Sequence, residues 1–483
     1  MPKGSLVFIG GGDDSSLIFN KIFELAGGKS NSKIAIIPSA ASSDGKSIDS
    51  YLKFFTSEME FEKEKIWILP IQNGTENKAQ EELAKKLEDY NIVFLVGGDQ
   101  RDFINSLKKD NVETLLLKSI EKVYKDGGVI VGTSAGTNIM STESIAGGTS
   151  EEALANHIAF NPSEDDGHKL LVMKGLDLIK DVVLDAHFEV KGRFGRLIRS
   201  AVLTNTRFGI GISERTAVIY KSDNTIEIIG FGDVLMTDIG NARILSKAND
   251  ILHIREANVH LFTHGDKYNF TTGEFTPQEN KKSISNIPYF DANDYHISLN
   301  VFKECETSTI LVNYMLDNEA KDVIALVDYE RNDTTEERSL FIRFEEKPST
   351  NAFFAKLDIE GNQDFGNYYS GINVNLDIIP FNTNSDARNR RKHINAVLFG
   401  LGDQLQIVAY DNVGTLPICD AKFYIYDKDE NLIYKRGTDR FGRALVKRVL
   451  KTDEEYSIKI TWDFETLTKK FTFHNDMEGF CLS

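Results

Sequence analysis

The chain is poor in cysteine: 483 residues hold three, Cys305, Cys419 and Cys481, far apart and odd in number. That spacing excludes a disulfide framework and a cysteine-based metal site, and the thiols read as isolated buried side chains. Long apolar runs are missing too, and none approaches the ~18 residues that cross a bilayer. The opening "MPKGSLVFIGGG" has one lysine and an apolar run shorter than the ~7–15 residues of a signal-peptide core, so the chain as written reads as cytoplasmic, with export the alternative where a leader has been removed. Positive charge is in deficit: 56 Lys and Arg stand against 73 Asp and Glu, for a net charge of −17. Nonspecific nucleic-acid binding needs an excess of basic side chains to neutralise phosphates, so no nucleic-acid partner is expected. Repeats and low-complexity tracts are absent.

What is present is the composition of a soluble globular protein, with 41% hydrophobic and 27% charged residues. The length implies two or three domains at the usual ~150 residues each. Up to about residue 235, short β-branched runs alternate with helical patterns: "LVFI" (6–9), "KIAII" (33–37), "KIWIL" (65–69), "IVFLV" (92–96), "VIV" (129–131) and "DVVL" (181–184). Near-continuous apolar strands separated by amphipathic helices predict an α/β fold, a parallel sheet covered on both faces. From Gly209 the period becomes that of strands, completing the same domain to about residue 275. A polar Gly- and Pro-containing stretch predicts a boundary near 273–287. Beyond it the sequence predicts a β-rich domain over 286–412 and a small sandwich over 413–483, built on five short alternating strands. Neither shows a catalytic constellation.

In an open parallel sheet, ligands bind beyond the carboxyl ends of the strands. Small or polar residues follow five of the six predicted strands: "GGGDD", "PSAASS", "GGDQ", "GTSAG" and "DAHFEVKGRFGR". "GTSAG" fits G-x-S-x-G, in which Gly132 and Gly136 allow a sharp turn that presents Ser134 while the Ala135 N–H opens a helix. Gly98 of "GGDQ" is placed to supply a second oxyanion donor. The competing reading is a phosphate-binding turn, which would want a lysine after the glycines, and none follows. Nor does the "GGG" of Gly10–Gly12 complete a dinucleotide fingerprint, so no cofactor or metal is expected.

A serine nucleophile needs a base, and the base needs a carboxylate behind it. His187, in "DAHF" at the end of the sixth predicted strand, is the candidate base. Glu214 in "GISERTA" is the first candidate for the acid; Glu152 and Asp185 compete with it. Nucleophile, base and acid in that order differ from the α/β-hydrolases. The cations Lys191, Arg193, Arg196 and Arg199 suit recognition of carboxylates, with a solvated basic helix face as the bland alternative.

"FIGGGDD", "IIPSAAS", "FLVGGDQ", "GTSAGTNIM", "DAHFEVKGRFGRL", "GIGISERTA" and "GDKYNF" resemble, in order, the motifs of the cyanophycinases of the S51 serine peptidase family, over residues 4–275. The resemblance implies a flavodoxin-like, doubly wound sheet related to class I glutamine amidotransferases, and a homodimer. It also implies hydrolysis of cyanophycin, a poly-aspartate with arginine on its side chains, to β-aspartyl-arginine dipeptides. Carried over by position, Ser134 is the nucleophile and His187 its base, with Glu214 or Glu152 as third member. Gln100 becomes a substrate-pocket residue, and Asp185, Arg193 and Arg196 fall in the substrate-binding run. Here Ala186 and Lys191 replace a Gln and an Arg of that run, and "EEALANHIAFNPSEDDGHK" is inserted where it would reshape the cleft. The alternatives are a dipeptidase for amino-terminal aspartyl peptides and a binding protein that works through its β domains.

Overall fold

The computed structural model describes residues 2–12, 15–41, 46–71, 77–109, 112–159, 169–246, 250–285, 287–290, 297–298, 301–329, 337–383, 394–401, 404–411, 418, 421–438, 443–447, 449–462, 465–474 and 480–482. Residues 160–168 of the insert, and Cys419, lie outside them.

Five parallel strands form the centre of the first sheet: β1 (Ser5–Ile9), β2 (Ile34–Ile37), β3 (Ile66–Ile68), β4 (Ile92–Leu95) and β5 (Val129–Thr133), in the order β3-β2-β4-β5-β1. Successive side chains point to opposite faces, and both faces are covered. Phe8, Ile37, Leu95 and Ile130 pack on Phe103, Leu107 and Ile120. Val7, Ile36, Phe94 and Val131 pack on Ile18, Phe19, Ile22 and Phe55 on the other side. This burial on two sides is why the strands carry apolar runs rather than alternation. The helix Leu115–Asp126 shows how the turns are set: the Thr114 hydroxyl accepts from Leu117 N at its start, and Gly127, at φ 112°, ends it. Thr216–Tyr220, Thr225–Gly230, Lys267–Asn269 and Phe275–Thr276 extend the sheet beyond β1 by antiparallel pairing. The doubly wound α/β layer is therefore present.

Two expectations about organisation need revision. The sixth predicted strand, Val182–Asp185, is not in this sheet: it pairs parallel with Phe208–Ile212 and opens a second, eleven-stranded sheet. That sheet also crosses the boundary expected near 273–287. Ile254–Phe262 pairs with Gly366–Thr383, bringing Ala257 opposite Leu376 and Val259 opposite Val374. Buried Lys281 ties the same seam together, donating to Asp266 Oδ1, Thr263 Oγ1 and Ser370 Oγ at 2.8, 2.7 and 2.6 Å. A polar stretch with Gly and Pro marks a turn, but it does not reveal which strands the turn separates.

All five strands predicted for the C-terminal sandwich are present, at Lys422–Tyr426, Leu432–Gly437, Arg443–Lys447, Glu455–Trp462 and Glu465–Thr472. The sandwich is larger than 413–483, however. Ile394–Leu401 and Gln404–Asp411 pair with each other and with Phe480–Leu482 and Arg443–Lys447, and they bury Leu398 and Ile407 against Phe423, Ile425 and Ile458. Cys305 is exposed, against the buried thiol expected. Among the described residues no helix is long and apolar enough to cross a membrane.

Candidate active site

β1, β4 and β5 end in register, Ile9 beside Thr133 and Leu95 beside Gly132. Gly10, Gly97 and Ser134 therefore emerge at one edge. Ser134 takes φ 53°, ψ −118°, a strained conformation for a residue with a side chain. Its N–H donates to Ile9 O at 3.1 Å, and the buried Thr137 hydroxyl donates to Ile9 O and Gly132 O at 2.7 and 2.8 Å. The flanking glycines are needed for space: a Cβ on Gly132 would lie 2.2 Å from Gly136 O, and one on Gly136 would lie 2.1 Å from Leu95 O. The "GGDQ" turn abuts the serine, with a Cβ on Gly97 falling 2.9 Å from Ser134 Cβ. Gly98, at φ +149°, has no room for a side chain either, since its Cβ would meet Ala40 O at 1.6 Å.

His187 Nε2 lies 2.8 Å from Ser134 Oγ, and its Nδ1 lies 2.6 Å from Glu214 Oε1. Although its strand belongs to the second sheet, the His187 N–H donates to Gly10 O at 2.7 Å and stitches the sheets together. The Arg215 N–H donates to Gly11 O at 2.8 Å and fixes the neighbour of Glu214 on the same loop. Burial lowers the His187 pKa; the hydrogen bond its ring donates to Glu214 opposes this, and the charges of Lys191 and Arg193 lower it further. A neutral ring carrying its proton on Nδ1 would direct that proton at the Glu214 carboxylate and leave Nε2 facing Ser134.

Gly11 and Gly12, set aside in the sequence for lacking a cofactor fingerprint, belong to this site. At φ +91° and +88°, Gly11 would place a Cβ 2.3 Å from His187 Cε1, and Gly12 would place one 2.8 Å from Glu214 Cβ. The signal that could have found them is their position, directly after the first parallel strand.

The other expected site residues separate. Glu152 pairs with His157 and not with His187. Gln100 donates from Nε2 to Ile145 O at 2.9 Å. Asp185 is fully buried, and its carboxylate is gripped by Arg196, Nε to Oδ2 at 2.7 Å and Nη2 to Oδ1 at 2.6 Å, with Arg196 Nη1 on Gly148 O at 2.8 Å. Asp185 ends the histidine strand, and Asn138 Nδ2 and Arg193 Nη1 also donate to its Oδ1, at 3.4 and 3.5 Å, so it is an internal partner of Arg196 where the motif suggested substrate contact. Arg199, also taken as part of a basic face, is fully buried and donates to Asn156 Oδ1. Arg193 is half-buried against Ala186 O, and burial, then Arg196, push it down to about 10. Lys191 is exposed. Lys191 and Arg193 are the two cations that act on His187.

The model of peptidase family S51 matches residues 6–228. A cyanophycinase of Geminocystis herdmanii is 32% identical over 280 residues, covering 56% of this chain and 95% of that protein. The chain belongs to peptidase family S51. A cyanophycinase of Trichormus variabilis is 30% identical over 275 residues, 55% of this chain and 85% of that protein. The crystal structure of a peptidase from an acI-B1 actinobacterium is similar at 19% identity and a TM-score of 0.40, over 56% of this chain and 98% of that one. As a member of S51 the chain is a serine peptidase, and the family match ends before the C-terminal strands begin.

Proposed function

We propose that the chain hydrolyses aspartyl-linked peptides, with cyanophycin as the substrate, through an acyl-enzyme on Ser134. One observation carries this reading: the unbroken relay of Ser134 Oγ, His187 and Glu214 at 2.8 and 2.6 Å. Two relatives bearing the name cyanophycinase support the choice of substrate.

In this mechanism His187 Nε2 takes the Ser134 proton as Oγ attacks the scissile carbonyl. Glu214 holds the ring in the tautomer that leaves Nε2 free, and it stabilises the imidazolium that forms. The Ala135 N–H at the start of the short helix and the Gly98 N–H of the adjoining turn receive the oxyanion. His187 then returns its proton to the leaving amine, and a water activated by the same nitrogen releases the product. Lys191 and Arg193 set positive potential beside the base, which suits a substrate with carboxylates near the cleaved bond. Glu214 and not Glu152 is the third member in this scheme.

The test is incubation of the full chain and a Ser134→Ala variant with cyanophycin and with α- and β-aspartyl dipeptides. The expected result is release of β-aspartyl-arginine by the wild type and near-complete loss in the variant. Equal activity in the two proteins would refute the mechanism, and cleavage of the dipeptides alone would move the substrate to short aspartyl peptides.

A further inference from the structure

The region beyond the family match reaches the loop that carries His187. A Cβ on Gly192, at φ +54°, would lie 1.7 Å from Phe302 O, so that loop and the 301–305 segment touch backbone to backbone. The Cys305 N–H donates to Glu189 O at 3.0 Å, and the helix Glu306–Leu311 starts from there. Ser308 of that helix then grasps the Glu189 side chain, its N–H and hydroxyl both donating to Oε2, at 3.4 and 3.1 Å. Glu189 is buried.

Asp233 stands opposite. Its Oδ1 accepts from the Ser213 hydroxyl at 2.5 Å and its carbonyl from the Ser213 N–H at 3.1 Å. One side chain from the C-terminal region therefore holds the carboxyl two residues after His187, while Asp233 is bonded to the residue before Glu214. Burial, and then the charge of Asp233, push Glu189 up, and burial pushes Asp233 up.

We propose that Ser308 is a positioning residue of the peptidase: by holding Glu189 it fixes the loop that carries His187. The C-terminal region is on this account a working part of the site. The inference rests on Ser134, His187 and Glu214 acting as proposed above.

The experiment compares full-length Ser308→Ala, Ser308→Thr and Ser134→Ala with the wild type, reading kcat, KM, Tm and the pH profile of kcat/KM on cyanophycin. With Ser134→Ala inactive, Ser308→Ala is expected to lower kcat roughly tenfold, as loss of alignment at a reacting group does, with KM within about twofold and the acid limb displaced. Ser308→Thr, which keeps the hydroxyl, restores kcat and the limb. If Ser134→Ala is inactive and Ser308→Ala keeps the wild-type kcat and pH profile, the positioning role alone is overturned. It is overturned equally if kcat falls only with the folded fraction and threonine does no better than alanine. An active Ser134→Ala overturns both this role and the mechanism beneath it.

Discussion

Replacing Gly11 with alanine places one methyl group where the imidazole of His187 now sits. Its Cβ would lie 2.3 Å from Cε1, 2.7 Å from Nε2 and 3.0 Å from Nδ1, against the ~3.5–4.0 Å of an ordinary carbon contact. The ring must therefore back away by about 1 Å or more. No shift of that size keeps both the 2.8 Å bond to Ser134 and the 2.6 Å bond to Glu214. Misplacement by about 1 Å at a reacting group costs on the order of 10²-fold in rate. The φ of +91° adds backbone strain of roughly 1–2 kcal/mol for a residue with a Cβ. Gly27→Ala separates the two effects, because Gly27 also has φ +91° with nothing within 4 Å of its Cβ. Both variants should lose a few degrees of Tm, and only Gly11→Ala should lose about 100-fold in kcat/KM and in the rate of Ser134 sulfonylation by a sulfonyl fluoride. A Gly11→Ala protein within threefold of wild type, or a Gly27→Ala protein equally inactive, would refute the claim that this glycine makes room for the base.

Two further outcomes follow from the same geometry. Glu214→Gln should lower kcat by about 10²–10⁴-fold, the range for a disabled triad carboxylate, while Glu152→Gln, whose partner is His157, should stay within a few-fold; parallel steady-state measurements decide, and equal losses would return Glu152 to the reaction. Lys191→Met removes a charge that disfavours the protonated ring, so the His187 pKa should rise and the acid limb of kcat/KM should move to higher pH by a few tenths of a unit; a limb that stays still or moves down in a pH–rate series would show that Lys191 does not act on the base.

The five parallel strands were legible because burial on both faces leaves an apolar run that no other environment demands. Ser134, His187 and Glu214 were legible as candidates because each directly follows such a run. Which sheet a run joins was not legible: "DVVL" looks the same beside β5 as beside Phe208–Ile212, since three apolar residues do not encode their neighbour. Arg196 was readable as a cation but not as a buried one, because its partner Asp185 lies on another element and the bidentate bond exists only once the strand end and the helix meet. Gly11 and Gly12 were hardest to see. Their contribution is empty space, and what fills it comes from loops far along the chain.

The seam between the two halves explains why the site is to be tested in the whole chain. A cut near residue 275 or 285 would strip Gly366–Thr383 from Ile254–Phe262 and leave a nine-residue strand with a free edge, a template for aggregation. The cut near 285 would also take Ser370 from Lys281, whose buried ammonium is held by Asp266, Thr263 and Ser370. The His187 strand opens that same sheet, with two strands between it and Ile254–Phe262 in the order. Loss of activity on truncation is thus expected from the sheet alone and says nothing about Ser308, whereas a single hydroxyl removed from an intact sheet tests the link between the C-terminal region and the base directly.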